Sequence, residues 1–271
     1  MESIDGLVES ALKDAGIDPL EVCHEGGRVG QYRVYKSNML IEAYYDKLKL
    51  VEQRVFNLVI ARQSPYEEVP EVITLVAKDY GDIFEIPRSE VYKALKHASE
   101  RLHERTLEIN GQEISWLKES VRYLEGEAKI EIRFSEEIKP HLCHFTGNFT
   151  SYDLQRVAAL QSTHSIRLYE LFRQQVDTKT GKGKLYITPD KLRRCLGLEG
   201  RYKQFRNLKH WVIKPAIEEL EAKSGLTIQW TVDRRSRGPH SLTFVFEEKD
   251  IPKLVRFPSA EERERRAAES E

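Results

Sequence analysis

The chain has 271 residues, 40% of them hydrophobic and 32% charged, with a net charge of −1. No apolar run approaches the roughly 18–20 residues that cross a bilayer, and the acidic opening, MESIDGLVESALKDAG, lacks the pattern of a secretory signal; with Cys23, Cys143 and Cys195 odd in number and far apart, a reduced, cytoplasmic setting without a membrane role is expected. The near-zero net charge hides an asymmetry, because residues 1–150 hold 19 Lys and Arg against 27 Asp and Glu while residues 151–256 hold 21 against 12, the imbalance expected when one domain sits on a polyanion.

In chain order, residues 1–30 end in Gly26-Gly27 and read as an arm that can be disordered. An apolar-periodic helix is predicted over LVEQRVFNLVIARQ (50–63). A strand over 72–76 leads into a short helix, AKDYGDIF, and a longer one, RSEVYKALKHASERL (88–102). Alternating segments then predict strands in TLEI, ISWL and KIEIRF. CHFTGNFTSYDLQRVAAL (143–160) joins this first unit to a second. The second starts with a helix over 164–176, followed by a strand over 184–187 and a short helix over 189–197. Thr188 suits its N-cap, Pro189 its first turn and Gly197 its end. A long helix over 202–223 and two strands, 226–232 and 241–246, complete it. The tail, 257–271, is almost wholly charged.

The two passes match. Arg54-Val55-Phe56 and Leu58-Val59 recur as Arg167-Leu168-Tyr169 and Leu171-Phe172, 113 positions later. A helix, strand, helix, helix, strand, strand order is that of the winged helix. The expected fold is therefore α+β, two tandem winged-helix domains at 31–150 and 151–256.

At roughly 100° per residue, Lys203, Arg206, Asn207, His210 and Lys214 share one stripe about 100° wide. Phe205, Leu208, Val212 and Ala216 fall on the other side, towards a core. Arg and Lys pair with guanine O6/N7 and Asn with adenine N6/N7, so this stripe is the candidate base-reading surface in a major groove. Pro215 removes a backbone donor and predicts a kink near Trp211–Lys214. Arg193 and Arg194 on the preceding helix, and Arg234, Arg235 and Arg237 at the hairpin tip, are candidate phosphate or wing contacts. In the first unit, Lys93, Lys96 and His97 are weaker candidates, interspersed with Glu90, Glu100 and Glu104.

Other groupings lead nowhere. His141, Cys143 and His144 lack a second ligand pair at zinc spacing. TGKGK lacks the phosphate-loop pattern. The tyrosines lack the paired histidines separated by one residue that a DNA-nicking enzyme needs. No catalytic residue, metal or cofactor is expected, and the chain reads as a binding protein, not an enzyme.

The segments YKSNMLIEAYYDKLKLVEQRVFNLVIA (35–61), SIRLYELF (165–172) and ITPDKLRRCLGL with YKQFRNLKHWVIKPAIEELEAKSGLTIQW (187–230) resemble the initiator replication proteins of iteron-containing bacterial plasmids, the RepB-type family. The resemblance spans about residues 31–250. It implies monomers that bind repeated origin sites in double-stranded DNA, with the second domain reading bases and the first giving backbone contacts and a homodimer interface. It also implies dimers that repress their own gene, and recruitment of a host initiator and replicative helicase. A winged-helix transcriptional repressor without a replication role is the alternative.

Overall fold

The computed structural model describes residues 32–46, 48–124, 128–235 and 238–249. The expected arm and charged tail lie outside these. The first unit contains β1 (Arg33–Ser37), α1 (Asn38–Glu42), β2 (Tyr44–Tyr45), α2 (Leu50–Ala61), β3 (Ile73–Val76), α3 (Ala77–Phe84), α4 (Arg88–Leu102), β4 (Thr106–Ile109), β5 (Gln112–Ser115), β6 (Arg122–Leu124) and β7 (Lys129–Ile132). Next come β8 (Phe149–Asp153) and α5 (Gln155–Ala158). The second unit is α6 (Thr163–Arg173), β9 (Lys182–Ile187), α7 (Pro189–Cys195), a continuous helix α8 (205–223), β10 (Leu226–Arg235) and β11 (Gly238–Glu248).

Both units share one topology. The second has sheet order β10-β11-β9 and the first β3-β7-β6, so in each the last strand lies between the first and the second. Tandem winged helices are thus present, and the first wing is β6–β7. The hairpin β4–β5, which pairs with β2, is inserted before it. Asn110 and Gly111 carry φ of 52° and 82° at its turn, the left-handed pair that a two-residue hairpin demands. The turn sets β5 two residues earlier than the alternation in ISWL suggests. Trp116, just beyond β5, stacks on Phe56 of α2 at 4.3 Å between ring centroids. Glu52 fixes the same region: it accepts from Arg105 Nε and Nη2 at 2.8 and 2.9 Å, and from the Lys49 backbone N–H at 2.8 Å.

The junction between the units is the part that the sequence pattern did not disclose. The joining segment is itself structured, and β8 pairs antiparallel with β1 from Arg33↔Asp153 to Ser37↔Phe149. Each strand runs into a short helix, α1 or α5. Arg54 of α2 donates to the Leu160 and Ala158 carbonyls at the end of α5, at 2.8 and 3.3 Å. Arg167 of α6 donates to the Ile41 and Ala43 carbonyls at the end of α1, at 2.6 and 3.0 Å. The arginines that mark the sequence repeat therefore make reciprocal contacts, each satisfying orphan carbonyls of the other half's short helix.

Glu170 lies at the centre, wholly buried. It accepts from Lys36 Nζ, Tyr152 Oη and Arg167 Nη1, each at 2.6 Å. Burial alone would raise its carboxyl, but the charges of Lys36 and Arg167, with the bonds from Lys36 and Tyr152, hold it below the usual carboxylate range. Lys36 also donates to Asn57 Oδ1 at 2.7 Å, and the Arg167 guanidinium lies 3.7 Å from the Tyr45 ring centroid. One apolar core runs from Val34 through to Phe246 around this network.

Candidate nucleic-acid interface

The long helix α8 begins at Phe205, not at 202. Tyr202 has φ 46°, a left-handed value that a helix cannot contain, and Gln204 is the extended N-cap. Lys203 therefore belongs to the preceding turn. Gly197 ends α7 at φ 67°, and a Cβ there would lie 2.7 Å from the Tyr45 carbonyl oxygen. Glycine thus serves twice: it takes the left-handed angle and lets the turn approach the first unit.

The helix is interrupted in an unexpected way. Phe205–Leu208 and Lys214–Lys223 are α-helical, whereas Lys209–Ile213 form a π-helical turn. The Lys214 N–H bonds to the Lys209 carbonyl, five residues back. Backbone angles stay helical throughout, with φ −57° to −65° and ψ −46° to −52° at the residues flanking and opening the turn. The π-helical turn occupies the stretch near Trp211–Lys214 in which Pro215 predicts a kink, and its wider winding relieves the clash between the proline ring and the carbonyl four residues earlier. Since Lys214 is committed to Lys209 and Pro215 has no N–H, the carbonyls of His210 and Trp211 both lack their ordinary helical donor.

The two faces of the helix separate as the periodicity predicts. Leu208, Val212, Ile213, Ala216, Ile217 and Leu220 are buried. Lys203, Arg206, Asn207, His210 and Lys214 are all exposed, although Lys203 stands on the turn before the helix and not on its stripe. Arg206, Asn207, His210 and Lys214, with Gln204, Lys209 and Trp211, line an open depression of about 430 Å³. Trp211 is 64% exposed, with its ring edge-on to His210 at 4.6 Å and 82°. Lys209 Nζ lies 5.2 Å from the centroid of Trp230 on β10, tying the helix to the hairpin. Trp211 escaped the sequence reading because that reading looked only for polar groups on the stripe, and Lys209 because its angle, about 240° from Lys203, lies off the stripe. The apolar exposure of Trp211 is the signal that separates it from the core.

The flanking cations have different surroundings. Arg193 is spent inside the protein: it bonds Asp190 at 2.6 Å, the Tyr202 carbonyl at 3.2 Å and the Lys203 carbonyl at 3.0 Å. Its guanidinium braces the turn that launches α8. Arg194 bonds Glu108 of the inserted hairpin and Glu199, so it links the two units. Both arginines thus have internal partners that any phosphate would have to displace. Arg234 is exposed at the end of β10, beside a register shift between Asp233 and Arg234. Arg235 lies on the same strand, opposite Gly238; Arg237 is outside the described residues. On α4, Lys93, Lys96 and His97 are exposed, and His97 Nδ1 lies 3.7 Å from Glu100. His141 shares a 2.8 Å hydrogen bond with Ser37 Oγ, and Cys143 is buried, with its thiol pushed up by burial.

Fold and surface together define a tandem winged-helix protein whose second unit presents, among the described residues, an exposed cationic helix face. The chain belongs to the initiator replication protein family: its residues 33–173 match the family's first winged-helix module and residues 188–246 its second. A replication initiation protein of Escherichia coli is 30% identical over 224 residues, which cover 79% of this chain and 69% of that protein. An uncharacterized 27.6 kDa protein of Escherichia coli is 26% identical over 226 residues, 74% of this chain and 90% of its own length. Among solved structures, the Pi initiator protein in complex with iteron DNA has a similar fold, with TM-score 0.71 and 20% identity over 83% of this chain and 100% of that one.

Proposed function

We propose that this chain initiates replication of a plasmid by binding iterons, the direct repeats of its origin, in double-stranded DNA. Monomers read bases in the major groove through Lys203, Arg206, Asn207, His210 and Lys214. Arg234, Arg235 and Arg237 of the second wing hold phosphates, and Lys93, Lys96 and His97 add backbone contacts from the first unit. Arg193 and Arg194 serve the interface indirectly, by fixing the turn and the inserted hairpin. Bound monomers help open an AT-rich segment and bring in the host initiator and replicative helicase. A homodimer represses the chain's own gene. The setting is the bacterial cytoplasm, and the work is binding and strand opening rather than bond cleavage.

The observation that carries this reading is the exposed stripe over residues 206–214, the first half of α8, which holds no acid, on a helix whose other face is anchored in the core. The Pi initiator bound to iteron DNA, which shares the fold, supports the choice of ligand. The test is a DNA fragment carrying the gene and its adjacent repeats, cloned without another origin. Autonomous replication that is lost when Arg206 and Asn207 are both replaced by Ala supports the proposal. Repeat binding without replication would make the chain a transcriptional repressor. No preference for the repeats over scrambled duplex would remove the reading altogether.

A further inference from the structure

Five large hydrophobic side chains are exposed among the described residues: Met39, Val72, Tyr186, Trp211 and Val245, and Trp211 is the most exposed of them. It alone sits within the cationic stripe. A singly exposed apolar side chain is ordinary; what sets this indole apart is its place in the depression lined by Arg206, Asn207, His210 and Lys214. Its ring meets the His210 ring edge-on at 4.6 Å. The π-turn over Lys209–Ile213 carries both residues outward while Val212 and Ile213 stay buried.

The surrounding groups define what the ring would meet. Arg206, Lys214 and the Asn207 amide supply hydrogen-bond donors, which recognise the acceptors of guanine and adenine. Donors to a base edge do not detect the one feature peculiar to thymine, its 5-methyl group. That group is read by apolar contact. A cationic rim without acids favours a polyanion over an apolar protein surface as the occupant.

We propose that Trp211 is a specificity-determining residue, whose indole packs on the 5-methyl group of one thymine in each bound repeat. The inference rests on the base-reading role given to α8. Its test compares the full chain with its Trp211→Ala variant on duplexes carrying one cognate repeat. Thymines are replaced one at a time by deoxyuridine, which removes only the methyl group, and affinity is measured at fixed salt. At one thymine, deoxyuridine weakens the wild-type complex about fourfold, the value of one buried methyl-sized group, and leaves Trp211→Ala unaffected. Thermal melting of the variant matches wild type, since the ring is exposed. A wild type insensitive to deoxyuridine at every thymine, or an equal penalty in both proteins, overturns the inference. An indole reserved for a protein partner would give that result. Failure of the wild type to prefer the repeat over scrambled duplex would instead refute base reading by the helix, and the inference with it.

Discussion

Replacing Glu170 by Gln tests whether the buried junction holds the units together through charge. The amide keeps the shape and can still accept a hydrogen bond. It leaves Lys36 and Arg167, 1% and 3% exposed, without their shared counter-charge. Removing one partner of a buried ion pair costs about 3–5 kcal/mol. Two cations are stranded here, so the expected loss is in the upper half of that range, about 4–5 kcal/mol. That is a large share of the roughly 5–15 kcal/mol that keeps a domain folded. Lys36→Met is the control: Arg167 still neutralises Glu170 at 2.6 Å and Tyr152 still donates to it, so this variant loses about 1–3 kcal/mol, chiefly from the unpaired Asn57 acceptor. Urea unfolding at neutral pH, with the midpoint multiplied by a common slope, measures both. The folded carboxyl titrates below its unfolded value of about 4.3. Its contribution is therefore complete above that pH and lost as the pH falls through the folded value. Wild type should lose stability below about pH 4.3 more steeply than Glu170→Gln. A Glu170→Gln variant within about 1 kcal/mol of wild type, or a costlier Lys36→Met, would refute the charge argument.

At the interface, Arg206→Ala or Asn207→Ala should cost about 1–3 kcal/mol on cognate DNA and relax preference at one base position. Arg235→Ala should weaken every sequence alike and reduce the salt slope by about 0.9; identical behaviour of the Arg206 and Arg235 variants in salt-resolved binding would abolish the division of roles. Arg193→Ala should lower stability by about 2 kcal/mol, seen in urea, because three internal bonds are lost. An unchanged urea midpoint with a shallower salt slope would mean that Arg193 meets phosphate instead. Pro215→Ala returns a donor to the Trp211 carbonyl and allows the π-turn to close into regular helix, rotating Arg206 and Asn207 by about one residue, ~100°. Cognate affinity should fall about tenfold or more, and because the same rotation takes Leu208 from the core the urea midpoint should fall with it; unchanged affinity would show that the π-turn does not set the reading face.

Much of this protein was legible because its patterns are local. The 3.6-residue period of 205–223 separates Leu208, Val212 and Ala216 from Arg206, Asn207 and His210 without reference to anything distant, and burial follows that division. Thr188, Pro189 and Gly197 mark α7 by backbone preference alone, and Thr188 Oγ1 does accept from the Lys191 N–H at 3.2 Å. The 113-residue echo of Arg54 in Arg167 revealed two copies of one unit, although not what the two arginines do.

The rest was decided by contacts between residues far apart in the chain. Short β1 and β8 have no convincing period of their own; they become strands because each satisfies the other's backbone across some 116 positions. Lys36 and Glu170 lie on separate elements 134 positions apart, and neither announces a buried partner. Arg193 and Arg194 read as phosphate ligands from sequence, which shows their charge but not the carbonyls and carboxylates that they already meet within the fold. Trp211 is the opposite case: composition alone places an indole in the core, yet at roughly 100° per residue it falls beside Asn207 and away from Val212, and it is the folded helix, buried at Val212 and Ile213, that leaves the ring in solvent.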